Sequence, residues 1–434
     1  MSSEHTKLII GIDDTDSREG MCTTYLCALL RDDLSSFVQV ISEPILVRLN
    51  PTIPYKTRGN ASVALFLECR DSQKVIDLVI DTVASMACLD GENTNPGVVF
   101  VIEEQFGNVK NKLSSFFRRA VKDVITIDEA KELSSELDLK FRAFKNGRGL
   151  IGALSACGAM LDPDWDHTYE YLAYREKEVW GTKREVEELS LFEADRQTYP
   201  DTWDTVDHVN NITVCVPHSG DPVLYGIRGK DISSVEKAAS FVISEPVERM
   251  CIYRTNQGTD MHLIHVSGIS EIKEMHSYIL EGEVFSEPAT IRGGHTIFSL
   301  KDSAGNLIDC AAFEPTKNFR ELVRKLIPGD RIVVYGSVTE NTLNIEKIKL
   351  LELVKAYEIR NPLCPSCGKR MKSAGSGQGY RCKKCGTRSE FTENKELKRD
   401  VLPGFYEVPP CARRHLAKQL LRFENDDLPI YPGR

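Results

Sequence analysis

The stretch that decides the fold of the N-terminal half is KLIIGIDDTDSREGMCTTYL, residues 7–26. Its first seven residues form a short apolar run of strand length, which predicts a buried β-strand. The segment MCTTYLCALLRDDL that follows has the apolar spacing of a helix. Asp13, Asp14 and Asp16 therefore stand where the predicted strand ends. Ligand sites of α/β domains are found at that end of their strands.

This acidic turn, residues 13–16, has two interpretations. Clustered carboxylates repel one another unless a cation neutralises them, and oxygen ligands of this kind suit Mg²⁺. The functional interpretation is a magnesium site, with Asp13 and Asp14 as ligands, that holds a nucleoside triphosphate. The other is a polar turn, since Asp and Ser are common in turns and at helix N-caps. The turn by itself leaves both open.

A second stretch, RLNPTIPYKTRGNASV at residues 48–63, places Arg48, Lys56, Arg58 and Asn60 on a loop between two predicted strands. Arginine can bind phosphate oxygens in a bidentate manner. A metal that neutralises charge and cations that hold phosphates are the two halves of a phosphoryl-transfer site. The combination favours the functional interpretation of the acidic turn.

Two further stretches carry weaker signals. DGENTNPGVVF, residues 90–100, offers Asn95 just before a proline and a glycine. KNGRGLIGALSACGA, residues 145–159, is a glycine-rich segment that enters an apolar helix. Amides at such a helix N-terminus can hold an anion, but glycines that allow close helix packing explain the pattern equally well.

The fold class predicted for the whole chain is a multidomain α+β protein. Strands and helices alternate over residues 1–202, which predicts a layered α/β or α+β domain. Residues 203–276 read as a small ferredoxin-like unit. Five short strands with a helix before the fourth, at 277–355, predict an OB-fold barrel that binds single-stranded nucleic acid, and another small barrel is the alternative. Residues 356–434 hold a cysteine cluster and a segment, CARRHLAKQLLRF, that reads as a basic amphipathic helix.

The most specific motif is a pair of CxxCG sequences separated by fourteen residues: Cys364, Cys367, Cys382 and Cys385. This spacing is close to that of structural zinc sites with four thiolate ligands. Four protein ligands leave no open coordination position, so the predicted role of Zn²⁺ is to fold a ribbon that is poor in apolar residues. Basic residues surround the cluster. They are either a solvated face or a surface for nucleic acid.

Composition narrows the functional classes. The 434 residues carry a net charge of −9, yet residues 355–434 hold 17 Lys and Arg against 9 Asp and Glu. A basic tail on an acidic body suggests that the tail meets phosphates. No transmembrane run or signal peptide is recognisable, and the nine cysteines outside the cluster read as reduced thiols. We expect a cytoplasmic protein that does not bind membranes and is a monomer or a weak oligomer.

Several motifs together resemble the archaeal tRNA-isoleucine 2-agmatinylcytidine synthetase family. They are GIDDTDS, GMCTTYL, RLNPTIPYKTRGN, NTNPG, NGRGLIGALSA, DHTYEYLAYR, DPVLYGIRG and YRTNQGTD. The resemblance extends over nearly the whole chain. It implies an N-terminal kinase-like domain that binds ATP, followed by ferredoxin-like, OB-fold and zinc-ribbon domains.

The resemblance also implies a reaction and a set of residues. The family joins agmatine to carbon 2 of the wobble cytidine of the CAU-anticodon isoleucine tRNA, consuming ATP to AMP, so that the tRNA reads AUA instead of AUG. The γ-phosphoryl group would first activate the carbonyl oxygen of cytosine, and the primary amine of agmatine would then displace it. Asp13, Asp14 and Asp16 would hold Mg²⁺ or assist proton transfer, and Thr23 matches a threonine that is autophosphorylated in the family. The ATP phosphates would be bound by Lys56, Arg58, Asn60 and Asn95.

Agmatine carries a guanidinium group, which needs carboxylate or carbonyl acceptors. LDPDWDHTYEY, residues 161–171, supplies acids and aromatic rings next to the glycine-rich segment. The predicted agmatine site combines Asp166 with Gly149, Gly152 and Ala153. An ordinary loop followed by a helix N-terminus is the other interpretation of this stretch.

Two other functions compete with the synthetase. In the first, the barrel and the ribbon form a non-catalytic binder of single-stranded RNA or DNA, and the N-terminal half is a scaffold. In the second, the chain is a small-molecule kinase with an RNA-binding tail. The carboxylates that face a basic loop argue against a binder, and formation of AMP instead of ADP would argue against a simple kinase.

Overall fold

The computed structural model describes residues 5–17, 20–57, 59–423 and 427–434. Two large β-sheets, each with its own apolar core, are joined along the chain and by its C-terminal segment. The architecture is mixed α+β with several domains. None of the helices in these ranges is long and apolar enough to span a membrane.

The helices begin where the sequence offers capping groups or turn residues. Asp71 caps the second helix by accepting a hydrogen bond from the backbone N–H of Lys74. Thr126 and Glu129 form a capping box at the fourth, each side chain bonding the backbone of the other. The helices are α1 Thr23–Leu34, α2 Ser72–Met86, α3 Phe106–Ala120, α4 Ile127–Glu136, α5 Leu150–Leu161, α6 Glu188–Thr198, α7 Ile232–Ala239 and α8 Phe319–Val323.

The first large sheet has ten strands. In chain order the strands of this half are β1 Thr6–Asp13, β2 Gln39–Val40, β3 Ile45–Arg48, β4 Ala61–Cys69, β5 Gly97–Ile102, β6 Lys140–Ala143, β7 Thr168–Arg175, β8 Thr202–Trp203, β9 Val206–Asp207, β10 Ile212–Thr213, β11 Val223–Gly229 and β12 Val247–Thr255. The next strand, β13 Leu263–His265, belongs to the second large sheet. The order across the sheet is β6-β5-β1-β4-β3-β12-β7-β11-β8, with β2 beside β4, while β9 and β10 form a separate pair.

β1 is buried on both faces. Ile10 packs with α1 and α2 on one side, and Ile9 packs with α3 and α5 on the other. This explains why the strand reads as an unbroken apolar run. Among the described residues, β3–β12 is the one parallel pairing of this sheet. Of the two alternatives predicted for residues 1–202, α/β is therefore wrong and α+β fits, because antiparallel neighbours dominate the sheet.

The predicted boundary between residues 202 and 203 does not coincide with an edge of the sheet. β7, which precedes that boundary, lies between β11 and β12, which follow it. The seam between the two halves of the sheet is the β3–β12 pairing, and the Asn256 side chain reinforces it with two hydrogen bonds to the backbone of Arg48.

The second large sheet contains a barrel. The remaining strands are β14 Ser277–Val284, β15 Ala289–Thr290, β16 Thr296–Lys301, β17 Leu307–Ala312, β18 Arg331–Thr339, β19 Thr342–Glu352, β20 Ala356–Arg360, β21 Lys372–Ser373, β22 Tyr380–Arg381, β23 Arg388–Ser389, β24 Glu393–Leu397, β25 Gly404–Glu407 and β26 Ile430–Tyr431. The pairings β14–β16, β16–β17, β17–β19, β19–β18 and β18–β14 close a ring of five strands. These are the five strands predicted from the sequence.

The C-terminal segment, which we define as residues 408–423, contains the stretch CARRHLAKQLLRF, residues 411–423. The prediction of a basic amphipathic helix over that stretch is wrong. The segment contains two single-turn 3-10 helices, Pro410–Ala412 and Leu420–Arg422, joined by a turn. Its basic residues are not on a solvated helix face: Arg413 is 2% exposed and is ion-paired with Asp204 and Glu407. Bonds to residues from both large sheets replace the regular bonds of a helix.

Candidate active site

A cavity of about 380 Å³ opens beside the ends of β1, β3, β7 and β11. Its lining includes the acidic turn and the start of α1, together with basic side chains from other elements, Arg48, Lys56 and Arg228, which we call the basic wall. Its lining side chains include Asp13, Asp14, Asp16, Thr23, Arg48, Lys56, Asn60, Arg148, Glu170, Arg228 and His415. The cavity therefore brings together the two halves of the site that the sequence suggested.

The acidic turn is held by its own backbone and by its neighbours. Asp14 has a left-handed backbone, with φ 61°, and its N–H donates to Asp13 Oδ1 at 2.7 Å. Asp14 Oδ2 accepts from the N–H of Asn95 at 3.2 Å. The Thr94 hydroxyl donates to the carbonyl oxygen of Asp16 at 2.7 Å. Asx residues tolerate this backbone region, so the turn can direct its carboxylates into the cavity.

Arg148, which the sequence analysis did not single out, is the cation of the acidic turn. Its Nε and Nη2 each lie 3.0 Å from an oxygen of Asp14, a bidentate pair. The guanidinium also donates to the carbonyl oxygens of Asn93 and Tyr55. The available signal was an arginine between two glycines directly before a helix, and only the fold shows which carboxylate it meets.

Burial and mutual repulsion raise the pKa values of Asp13 and Asp14. Burial raises the pKa of Asp14 to about 6, even though Arg148 acts in the opposite direction. The pKa of Asp13 lies well above its usual range because its carboxyl group is desolvated and faces Asp14 and Asp16. A site of this kind accommodates positive charge readily.

Thr23 lies on the acidic side of the cavity, as the first residue of α1, and is 4% exposed. Its hydroxyl accepts a hydrogen bond from the hydroxyl of Thr15 at 3.0 Å. Because the Thr15 hydroxyl donates to it, the Thr23 hydroxyl keeps its own proton to donate. Thr23 therefore lies beside the acidic turn and lines the same cavity.

Gly152 and Gly149 allow α5 to approach the acidic turn closely. A Cβ on Gly152 would lie 2.0 Å from Asp13 Oδ2, and a Cβ on Gly149 would lie 2.6 Å from the carbonyl oxygen of Asp13. Ala153 is fully buried, and its carbonyl oxygen faces Gly11 of β1. The glycine-rich segment is therefore a close-packing element that also borders the site.

The basic wall is assembled from separate elements. Arg228 on β11 lies opposite Glu170 on β7 in the sheet register, and its Nε is 3.0 Å from Glu170 Oε1. Arg48, at the end of β3, lies 4.0 Å from the other oxygen of Glu170. His415, from the C-terminal segment, meets Arg228 Nη2 through Nδ1 at 2.6 Å. Except for Arg48, none of these was predicted as part of the basic loop.

Of the predicted phosphate-binding residues, Lys56 and Asn60 line the cavity, whereas Asn95 supports the acidic turn. Lys56 lines the cavity and donates to the carbonyl oxygen of Pro51, and burial, followed by the charge of Arg414, lowers its pKa. Asn60 also lines the cavity, with a left-handed backbone and its amide on the carbonyl oxygen of Asn50. Asn95 supports Asp14 through its backbone. Arg58 lies outside the described residues.

Asp166 is not brought to this site. Its carboxylate is 43% exposed and binds Lys418 Nζ at 3.2 Å and Arg422 Nη2 at 2.9 Å. Among the described lining residues, the acids other than those of the acidic turn are Glu170, Asp221 and Asp123. Asp166 thus binds the C-terminal segment, while Asp162, earlier in the same stretch, pairs with Arg118 of α3.

The four predicted zinc ligands converge. Their sulfur atoms all lie within 4.8 Å of one another, and Cys364 Sγ is 3.3 Å from Cys385 Sγ. Thiolates around a tetrahedral Zn²⁺ stand about 3.8 Å apart, given a Zn–S distance of about 2.3 Å. The cluster lies among the short strands β21, β22 and β23, where Met371 and Tyr380 are its apolar neighbours. Such a small apolar core fits a ribbon that depends on its metal.

A second group of potential ligands lies at the junction of the two large sheets. It comprises Asp260, His262 and Glu346. Lys347 donates to Asp260 at 2.5 Å, and His262 pairs with Glu346 at 3.1 Å. The protein's own side chains thus already partner these acids.

Comparison with known proteins accounts for the whole chain. Family models match three segments: the TiaS TCKD domain over residues 9–70, the TiaS FLD domain over residues 147–262 and the TiaS C-terminal zinc ribbon domain over residues 361–401. The third match includes all four cysteines.

Relatives match from end to end. The tRNA-isoleucine 2-agmatinylcytidine synthetase TiaS of Methanosarcina acetivorans is 60% identical, with 98% of this chain and 100% of the relative covered. That of Archaeoglobus fulgidus is 47% identical, with coverages of 97% and 99%.

Solved structures agree with these matches. A complex of TiaS with its isoleucine tRNA and ATP has a TM-score of 0.90 at 46% identity and covers 98% of this chain and 99% of its own. A complex of TiaS with the same tRNA, AMPCPP and agmatine has a TM-score of 0.87 at 43% identity, with coverages of 98% and 99%. Full-length identity, shared architecture and the zinc-ribbon match together show that the chain belongs to the tRNA-isoleucine 2-agmatinylcytidine synthetase family.

Proposed function

We propose that the protein is an ATP-dependent synthetase that joins agmatine to carbon 2 of the wobble cytidine of the CAU-anticodon isoleucine tRNA. The observation that carries the proposal is the cavity in which the acidic turn and Thr23 face a wall of cationic side chains. In this family, relatives have been crystallised with isoleucine tRNA, ATP and agmatine. A non-catalytic RNA binder has no use for such a cavity.

The chemistry has to turn a poor leaving group into a good one. The carbonyl oxygen on carbon 2 of cytosine leaves readily once it carries the γ-phosphoryl group of ATP. The primary amine of agmatine then attacks carbon 2, and the oxygen departs with phosphate. γ-Phosphoryl transfer leaves ADP, so formation of AMP requires a second cleavage, between the α- and β-phosphates.

The acidic turn holds Mg²⁺ in this scheme. Oxygen-only ligands and excess negative charge match the preferences of this ion, and the desolvated carboxyl of Asp13 faces two further acids, Asp14 and Asp16. Asp13 and Asp14 are the ligands, with Asp14 shared with Arg148, and Asp16 completes the turn. When bound, Mg²⁺ neutralises the triphosphate and aligns its terminal group. The aspartates also assist proton transfer from the attacking amine.

The residues around the turn bind and orient the nucleotide. Lys56, Arg58 and Asn60 hold phosphate oxygens from the basic loop, and Asn95 keeps Asp14 in place. Thr23 presents its hydroxyl beside the acidic turn and is the acceptor for autophosphorylation. Its position at the start of α1 supports this role, because the residue lines the same cavity as the three aspartates.

Agmatine binds where α5 meets the acidic turn. Gly149 and Gly152 border Asp13, and the absence of a side chain at Gly152 preserves the position of the aspartate. Ala153 is buried beneath β1, and Asp166 is bound to the C-terminal segment. Neither of these two residues is part of the proposed agmatine site.

The remaining domains bind the tRNA. The closed ring β14-β16-β17-β19-β18, with β17 and β19 parallel, supports assignment of the barrel as an OB-fold at residues 277–355. Residues 1–202 are assigned as a kinase-like domain and residues 203–276 as a ferredoxin-like domain that completes their sheet. The basic ribbon within residues 356–434 meets phosphates. The target base leaves its stack to enter the cavity, as base-modifying enzymes require, and the reaction takes place in the cytoplasm.

One experiment separates the three functions. The protein is incubated with a transcript of the tRNA and with labelled ATP, with and without labelled agmatine. The synthetase incorporates agmatine into RNA and forms AMP. A small-molecule kinase forms ADP and leaves the RNA unlabelled, and a binder retains RNA but leaves ATP intact. Either of the last two results would overturn the proposal.

A further inference from the structure

The C-terminal segment, residues 408–423, returns from the ribbon and is fixed across both large sheets. Arg413 pairs with Asp204 of the first half and Glu407 of β25. The backbone N–H groups of Gly258 and Thr259 donate to the carbonyl oxygens of His415 and Leu416 at 2.8 and 3.1 Å. These anchors place His415 at the cavity from a position more than 350 residues after Lys56.

The hydrogen bonds define the tautomer of His415. Arginine can only donate hydrogen bonds, so Nδ1, 2.6 Å from Arg228 Nη2, must be an acceptor. A neutral imidazole then carries its proton on Nε2. His415 is an exposed residue at the mouth of the cavity; desolvation of its ring among the lining side chains lowers its pKa well below the usual range, and the charges of Arg48, Arg228 and Lys56 lower it further. The ring is therefore neutral, with an N–H donor on the side away from Arg228.

The wall around this donor favours a phosphate. Arg48, Lys56 and Arg228 all line the cavity, and Glu170, which Gln257 holds in place, partly neutralises Arg228. A cationic ligand such as agmatine would be repelled there. A neutral donor can form a hydrogen bond with a phosphate oxygen. It does so without placing a further positive charge beside Arg48, Lys56 and Arg228.

We propose that His415 is a nucleotide-binding residue supplied by the C-terminal segment: its Nε2–H donates to a phosphate oxygen of ATP, while Nδ1 fixes the orientation of Arg228. This rests on the proposed function, since it assumes that the cavity is the ATP site. The residue completes the site from a segment that lies beyond the zinc ribbon in sequence.

The test uses two polar variants of the full-length protein. His415→Gln keeps an N–H donor near the position of Nε2, whereas His415→Asn is too short to reach it. The affinity for AMPCPP is measured by calorimetry, and binding of a transcript of the isoleucine tRNA is measured separately. Hydrogen bonds to charged groups predict that His415→Asn weakens AMPCPP binding by about tenfold to a hundredfold, while His415→Gln stays within about threefold.

His208→Asn serves as the matched control. His208 is 35% exposed and pairs with Asp195, away from the cavity, so AMPCPP affinity should not change. Equal loss in both His415 variants, or wild-type affinity in His415→Asn with an unchanged melting temperature, would overturn the assignment. A loss of tRNA affinity with unchanged AMPCPP affinity would assign the donor to an RNA phosphate and also reject it.

The proposed function can fail separately. If Asp14→Ala still forms AMP and modifies tRNA, the cavity is not the active site, whatever the His415 variants do. If Asp14→Ala is inactive and His415→Asn binds AMPCPP normally, the inference about His415 alone is wrong.

Discussion

The zinc ribbon and the cavity contrast in how their residues are distributed along the chain. All four cysteines of the ribbon lie within residues 364–385, and their sulfur atoms converge through two short knuckles. The cavity draws its side chains from β1, β3, β7, β11, the loop before α5 and the C-terminal segment. A local site can be read from spacing, whereas a site built across a sheet depends on strand order.

Strand order is what the sequence could not provide. Arg228 faces Glu170 because β7 and β11 are neighbours in register, and their residues are 58 positions apart. Arg148 meets Asp14 only because α5 packs on β1 through Gly11. Each of these residue types is common on protein surfaces, so neither pair stands out in one sequence.

The largest expected effect is at the acidic turn. Asp14→Ala removes the carboxylate that binds Arg148 and is proposed to share Mg²⁺, so AMP formation should fall by at least about a thousandfold. The affinity for tRNA should stay within about threefold of the wild type, since the proposed RNA-binding surfaces lie elsewhere. Rates are measured with labelled ATP and affinity by filter binding.

Asp81→Ala is the matched control, because Asp81 is an exposed aspartate on α2. It should leave the rate unchanged. If tRNA affinity falls in Asp14→Ala while the remaining activity is normal, the acidic turn has a structural role and the cavity is not catalytic.

Helices and strands whose signals lie within a single segment were predictable for the same reason as the zinc ribbon. β1, α2, α4 and the five barrel strands carry their apolar period and end signals within the segment itself. The C-terminal segment shows where this fails. Its basic and apolar residues alternate as they would on a helix. In the structure, however, Leu416 and Leu420 are buried, and Arg413 forms ion pairs with Asp204 and Glu407. Tertiary bonds outweighed helix propensity.

Loss of zinc from the ribbon should weaken tRNA binding without changing nucleotide binding in the cavity. Cys382→Ser should lose zinc and weaken tRNA binding by about tenfold or more, because the ribbon cannot fold without its metal. Affinity for AMPCPP should remain within about twofold, since the cavity shares no residue with the cluster. Zinc is measured by atomic absorption.

Cys88→Ser is the control for this substitution, because Cys88 is half-buried outside the cluster. It should retain zinc and bind tRNA normally. Wild-type protein without zinc would disprove the ribbon assignment, and a parallel loss of AMPCPP affinity in Cys382→Ser would show that the two regions are coupled.

A smaller effect is expected at Gly152. In Gly152→Ala the new methyl group would contact Asp13 Oδ2 and Ser62 Cβ, at 2.0 and 2.8 Å in the unrelaxed geometry. The aspartate must move, and a shift of about 1 Å can cost about a hundredfold in rate. We therefore expect AMP formation, measured with labelled ATP, to fall by about tenfold to a hundredfold.

Gly107→Ala tests whether helix glycines matter in general. Gly107 lies in the first turn of α3, and a Cβ there would meet nothing within 4 Å. This variant should keep full activity and melt at the same or a slightly higher temperature, because alanine favours helix. Equal rates for Gly152→Ala and wild type would show that close packing at Asp13 has no part in catalysis.

The smallest effect is expected at Asp166, which the sequence assigned to the agmatine site but which binds the C-terminal segment in the structure. Asp166→Asn should change the KM for agmatine by less than about threefold, because the carboxylate is 43% exposed and is bound by Lys418 and Arg422. Exposed pairs of this kind contribute about 0.2–1 kcal/mol to stability, so the melting temperature should fall only slightly. A tenfold rise in the KM for agmatine, measured at saturating ATP and tRNA, would return Asp166 to the agmatine site. A rise in the KM for ATP instead would mean that Asp166 acts by holding the C-terminal segment, and with it His415, against the cavity.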